Sequence, residues 1–100
     1  MRRTDRERQA VVDERISVIS IILEDTAVSA EVNDLLHAYG KYVVGRMGIP
    51  YKERGVSIIC VVLDAPGDII SALSGKIGMI RGVSTKTIVA RQQRKSEGTT

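Results

Sequence analysis

The 100-residue chain has no phenylalanine, no tryptophan and only three tyrosines. Its core must be built from isoleucine, valine, leucine and methionine, and beyond tyrosine there is no material for an aromatic cage or a base-stacking platform. One cysteine, Cys60, excludes a disulfide within the chain. Cys60 stands in an apolar strand pattern, where a reduced thiol packs as a small hydrophobe, and it is expected to point inward. His37 is the single histidine. With no second histidine, cysteine pair or carboxylate cluster beside it, one chain offers no zinc or nickel ligand set. Ser29, Ser57, Ser71, Ser74 and Ser84 likewise lack a triad partner. No apolar run approaches the ~18 residues of a membrane span, and the first apolar run begins late, without a cleavable-signal pattern. These absences set the expectation of a cytoplasmic chain with no membrane contact, no catalytic residue, no bound metal and no cofactor.

Positive charge is scarce where a nucleic-acid binder needs it. The formal net charge is +3. In residues 1–14, Arg2, Arg3, Arg6 and Arg8 are cancelled by Asp5, Glu7, Asp13 and Glu14. Residues 15–90 hold eight basic and seven acidic side chains, and the tail from Arg91 adds +2. Nucleic-acid binders concentrate their charge on one face; here the excess sits in a tail. The pattern divides the chain into a charged N-terminal arm (1–14), one ordered domain (15–91) and a polar tail (92–100) that is expected to be disordered. One hundred residues bury a single modest core.

The middle of the chain states one pattern twice. Ile16–Leu23 reads as a strand. Asp25 can cap the helix that follows, which carries Val28, Val32, Leu35, Leu36 and Tyr39 on one arc and His37 on the opposite side. Gly40 is expected to stop it, and a second strand to run from Lys41 to Ile49. Val56–Leu63 is a third strand. Asp64-Ala65-Pro66-Gly67 turns the chain, Asp68 is the expected N-cap, and Ile69, Ile70, Leu73, Ile77 and Ile80 form a second helical stripe. Gly75 and Gly78 lie inside that helix, where each costs ~1 kcal/mol relative to alanine. Gly82 ends it, and Val83–Ala90 is the last strand. Leu23-Glu24-Asp25 corresponds to Leu63-Asp64-Ala65 at an offset of forty residues. The order β-α-β-β-α-β is that of an α+β, ferredoxin-like sandwich, a four-stranded antiparallel sheet with two helices on one face.

Strands with one wet face alternate apolar and polar residues. These do not. In the first strand Ile16, Val18 and Ile22 oppose Ile19, Ile21 and Leu23; in the third, Val56, Ile58 and Val62 oppose Ile59, Val61 and Leu63. Burial of an aliphatic side chain stabilises by roughly 1.5–3 kcal/mol, so three wet residues on each of two strands forgo about 9–18 kcal/mol. That rivals a domain's whole stability of about 5–15 kcal/mol. The chain is therefore expected to associate with itself, as a dimer or tetramer, through the sheet. Ile19, Ile21, Ile59 and Val61 are the candidate interface residues, although the pattern alone does not say which set faces a partner.

Between the halves, Gly45-Arg46-Met47-Gly48 is too short for a dinucleotide fingerprint and follows a helix instead of preceding one. The segment brings Arg46, Lys52 and Arg54 together against Glu53, with glycines that permit close backbone contact and Pro50 to stiffen the exit. Such a loop can hold a carboxylate or phosphate by charge-assisted hydrogen bonds. Arg46, Tyr51, Lys52 and Arg54 are the candidate surface for a small anionic effector or a regulatory protein. Arg46 lies in a strand pattern and has Asp34 or Glu53 as alternative partners.

Five segments carry a family resemblance: Leu23-Glu24-Asp25, Leu36-His37-Ala38-Tyr39-Gly40, Gly45-Arg46-Met47-Gly48-Ile49-Pro50-Tyr51, Arg54-Gly55-Val56-Ser57-Ile58-Ile59 and Ile70-Ser71-Ala72-Leu73-Ser74-Gly75-Lys76-Ile77-Gly78. Together they resemble the iron-only hydrogenase system regulator family, over roughly residues 15–90. That family is similar to ACT-like regulatory domains and to the ligand-sensing domain of the nickel-responsive repressor. The resemblance implies a non-enzymatic, oligomeric sensor module with an effector or metal between subunits. The nickel repressor's histidine and cysteine ligands are missing here, so nickel is not expected. Two other classes remain in view: a nucleic-acid-binding regulator using arm and tail, which is not expected to bind directly, and a small ferredoxin-like dimeric enzyme.

Overall fold

The computed structural model describes residues 14–91. The expectations for an N-terminal arm and a disordered tail lie outside the described residues, apart from Glu14, which opens the first strand. The elements are β1 (Glu14–Leu23), a 3-10 turn (Thr26–Val28), α1 (Ser29–Ala38), a 3-10 turn (Gly40–Tyr42), β2 (Val43–Tyr51), a 3-10 turn (Lys52–Arg54), β3 (Val56–Pro66), α2 (Gly67–Gly78) and β4 (Val83–Val89). The strand order is β2-β3-β1-β4, with every neighbouring pair antiparallel. This is the ferredoxin-like α+β arrangement expected from the doubled pattern.

Local chemistry explains most boundaries. Asp25 Oδ1 accepts from the Ala27 N–H at 3.0 Å and so caps the 3-10 turn that leads into α1. Asp68 does not cap α2: Pro66 holds the N-cap position, and Asp68 sits in the first turn, where its charge suits the helix dipole. Gly40 does not terminate α1 through a left-handed residue. The helix ends at Ala38, and Gly40 opens the next 3-10 turn, which takes up Lys41 and Tyr42 and moves β2 later than expected. β2 then runs through Pro50. That is tolerated because β2 is an edge strand and a proline there need not donate to a ladder. β3 extends through Asp64, Ala65 and Pro66, where a turn was expected, because β1 pairs with it as far back as Glu14.

Both helices cover one face of the sheet. Ile19, Ile21 and Leu23 from β1, and Ile59, Val61 and Leu63 from β3, are buried against Val32 and Leu36 of α1 and Ile70, Leu73 and Ile77 of α2. Polar pins fix the layers. The Ser74 and Thr87 hydroxyls lie 2.7 Å apart between α2 and β4. Lys76 Nζ on α2 donates to the Tyr39 phenol oxygen just past α1 at 2.9 Å, while standing 5.2 Å from the ring centroid.

Candidate functional site: the open sheet face

The residues that alternate with this core have no described helix over them. Register sets them in rows across the sheet: Ile88, Val18, Val62, Gly45; then Lys86, Ser20, Cys60, Met47; then Ser84, Ile22, Ile58, Ile49. Ile16 and Asp64 pair at one end, and Tyr51 and Val56 at the other. Large apolar side chains stay wet here: Ile22 is 41% exposed, Ile49 47% and Ile88 67%.

The four residues expected at the interface lie on the other face. Ile19, Ile21 and Val61 are 0% exposed and Ile59 6%, all beneath the helices. A second copy cannot reach them. Two apolar faces were legible in the sequence; the helices take this one, and leave Ile16, Val18, Ile22, Ile58 and Val62 outward. Cys60 belongs to the open face, half-buried between Ser20 and Met47, and not to the core as expected. Met47, Ile49 and Ile88, on the edge strands, extend the patch beyond the central pair. Their one-residue alternation with Gly48 and with Thr87 and Val89 was the available signal.

The basic segment is divided between the two faces. Tyr51 and Arg54 border a cavity of about 340 Å³ at the end of the open face, with Ile22, Val56 and Ile58 as its apolar lining and Glu24 on the β1 side. Glu24 Oε2 accepts from Ser84 Oγ at 3.4 Å. Gly55, at φ 68°, returns the chain from the turn into β3. Lys52 is exposed in that turn. Arg46 projects to the helix side. Its Nη2 donates to Asn33 Oδ1 at 2.6 Å, and Asn33 Nδ2 donates to the Ser29 carbonyl at 2.9 Å. The partner is thus neutral Asn33, and neither Asp34 nor Glu53. Arg46 borders a second cavity, of about 520 Å³, between α1 and β2, together with Asn33, Asp34 and His37. His37 is exposed, as its helical position implied.

Among the described residues, no group of three or more His, Cys, Asp or Glu side chains converges as a metal site. No described helix is long and apolar enough to cross a membrane.

Residues 15–87 match the TM1266-like family, described as "Iron-only hydrogenase system regulator, putative". Among solved structures, the chain is similar to the protein TM1266 from Thermotoga maritima, at 38% identity and a TM-score of 0.75, covering 78% of this chain and 99% of that one. A formyltetrahydrofolate deformylase from Pseudomonas putida KT2440 aligns at 14% identity and a TM-score of 0.53, over 72% of this chain and 28% of the enzyme. That similarity is one of fold alone. No curated protein matches the chain. With most of its length matched by the family and a relative aligned over nearly its whole length, this chain belongs to the TM1266-like family of iron-only hydrogenase system regulators.

Proposed function

We propose that the chain is a non-enzymatic regulatory module of the cytoplasm that works as an oligomer, two or more copies meeting through the open sheet face. The observation that carries this reading is the row pattern of Val18, Val62, Ile22, Ile58, Ile49 and Ile88, exposed or half-buried on a face that no helix among the described residues covers. Contiguous apolar surface of this kind marks an association site. At its margin, Tyr51 and Arg54 offer a cation and a phenol beside an apolar lining. That is the chemistry for an effector carboxylate or phosphate, or for an acidic side chain of a protein partner. An anion bound there would sit on the associating face, so its binding and the assembly equilibrium would be linked. The ligand changes the regulator's state by favouring one degree of assembly.

The test is light scattering over a range of protein concentrations for the wild type and for Ile22→Lys. The expected result is a wild-type dimer or tetramer and a folded, monomeric variant. A wild type that is monomeric throughout removes the reading.

A further inference from the structure

Resting on the reading that an anionic effector sits at the margin of the open face, we propose that this effector is a nucleoside monophosphate. Its phosphate lies on Arg54, its ribose on Glu24, and its base over Ile22 and Ile58. The Arg54 cavity carries charges of both signs, and this narrows the ligand. Arg54 enters from the turn before β3, and Glu24 from the end of β1. A bare phosphate or carboxylate satisfies the guanidinium but brings a second anion toward the Glu24 carboxylate. A ligand that suits both groups has its anion at one point and hydrogen-bond donors a short way off. A phosphate joined to a ribose is built in this way. The guanidinium takes the phosphate by paired, charge-assisted hydrogen bonds. An ionised carboxylate can only accept, and neighbouring ribose hydroxyls are two donors for it. Ser84 Oγ, 3.4 Å from Glu24 Oε2, steadies that carboxylate from β4.

The apolar part of the lining calls for a flat ring. Tyr51 and Val56 pair at the polar end of the cavity, and Ile22 and Ile58 pair further in, toward the middle of the sheet. Tyr51 is 44% exposed and Ile22 41%, so a ring and an aliphatic floor are both open to a ligand. A nucleobase offers a π-face to each, whereas inorganic phosphate and small aliphatic acids leave them wet. The volume of about 340 Å³ is within the ~300–1,000 Å³ of small-molecule sites. Across Ile22 it adjoins a second cavity, of about 310 Å³, lined by Ser20, Ser84 and Lys86. Their hydroxyls and ammonium are donors for the acceptors on a base edge. Ile22 and Ile58 also belong to the face through which copies meet. A bound base and a second copy therefore compete for them, and the nucleotide favours the smaller assembly.

Titration calorimetry tests the assignment. The probes are adenosine monophosphate, deoxyadenosine monophosphate and inorganic phosphate, and the proteins are the wild type, Arg54→Ala and Glu24→Ala, with circular dichroism to check each fold. The wild type is expected to bind adenosine monophosphate at least about tenfold more tightly than phosphate. The deoxy analogue, which lacks one ribose hydroxyl, is expected to bind about tenfold more weakly than its parent. Glu24→Ala is expected to reduce that preference to less than about threefold, and Arg54→Ala to weaken both nucleotides by about tenfold or more. Sedimentation of the wild type with saturating adenosine monophosphate is expected to shift toward the smaller assembly. If adenosine monophosphate binds no more tightly than phosphate, or the preference over the deoxy analogue survives Glu24→Ala, the nucleotide assignment is wrong, while association through the face and an anion on Arg54 both stand. If the nucleotides behave as expected but the wild type sediments as a monomer at every concentration, the association reading falls and the nucleotide site stands.

Discussion

Gly82 and Asp25 stand so close that no side chain fits between them. A Cβ on Gly82 would lie 2.7 Å from the Asp25 Cβ, and Gly82 already has φ 79°. Its carbonyl accepts from the Glu24 N–H at 2.8 Å and the Asp25 N–H at 3.3 Å. This contact locks the turn after β1 against the turn before β4. Gly82→Ala is expected to cost roughly 2–3 kcal/mol, combining a disfavoured backbone with a clash. Gly55→Ala shares the positive φ but meets no atom within 4 Å, so it is expected to cost only about 1 kcal/mol. Equal losses in a denaturant titration would refute the steric part of this account.

The two faces of the sheet predict opposite phenotypes for adjacent residues. Ile21 is fully buried, and Ile21→Ala is expected to lose about 2–5 kcal/mol of folding stability. Ile22, the next residue, is on the open face. Ile22→Ser is expected to change the stability of the single chain by less than about 1 kcal/mol, while weakening self-association. Chemical denaturation at high dilution reads the first effect and sedimentation the second. A large stability loss for Ile22→Ser in a monomeric state would mean that the open face is covered from within the chain.

These two residues also mark where sequence reasoning ran out. The doubled β-α-β pattern, the helical stripes and the apolar character of both strand faces could all be read from Ile16–Leu23 and Val56–Leu63. Choosing a face could not. Period-2 alternation states that Ile21 and Ile22 point apart, but only the side on which α1 and α2 dock says which of them is core. The caps failed for a related reason. Asp68 and Gly40 are chemically suited to the roles expected of them, yet Pro66 took the N-cap position two residues before Asp68, and a 3-10 turn consumed the residues after α1. Arg46 and Arg54 looked like one basic cluster because they are close in sequence. Register sends Arg46 to the helix side with Val61 and leaves Arg54 at the end of the open face.

That separation predicts that the two arginines act independently. Arg46→Ala removes an exposed hydrogen bond to Asn33 and is expected to cost less than about 1 kcal/mol, with no effect on self-association. Arg54→Ala is expected to abolish stabilisation by phosphate or small carboxylates in a thermal-shift screen, whereas Arg46→Ala is expected to retain it. A ligand at a hundredfold over its dissociation constant stabilises by roughly 2.7 kcal/mol, which is a shift on the order of ten to twenty degrees for a domain this size. Ligand stabilisation that survives Arg54→Ala and is lost in Arg46→Ala would move the effector site to the cleft between α1 and β2.

The central claim, that the open face is an association surface, is tested most directly by sedimentation velocity of the full chain at micromolar concentration, wild type beside Ile22→Lys. The wild type is expected to sediment as a dimer or larger assembly and the variant as a compact monomer. A wild-type chain that sediments as a monomer, with Ile22→Lys indistinguishable from it, would contradict the account.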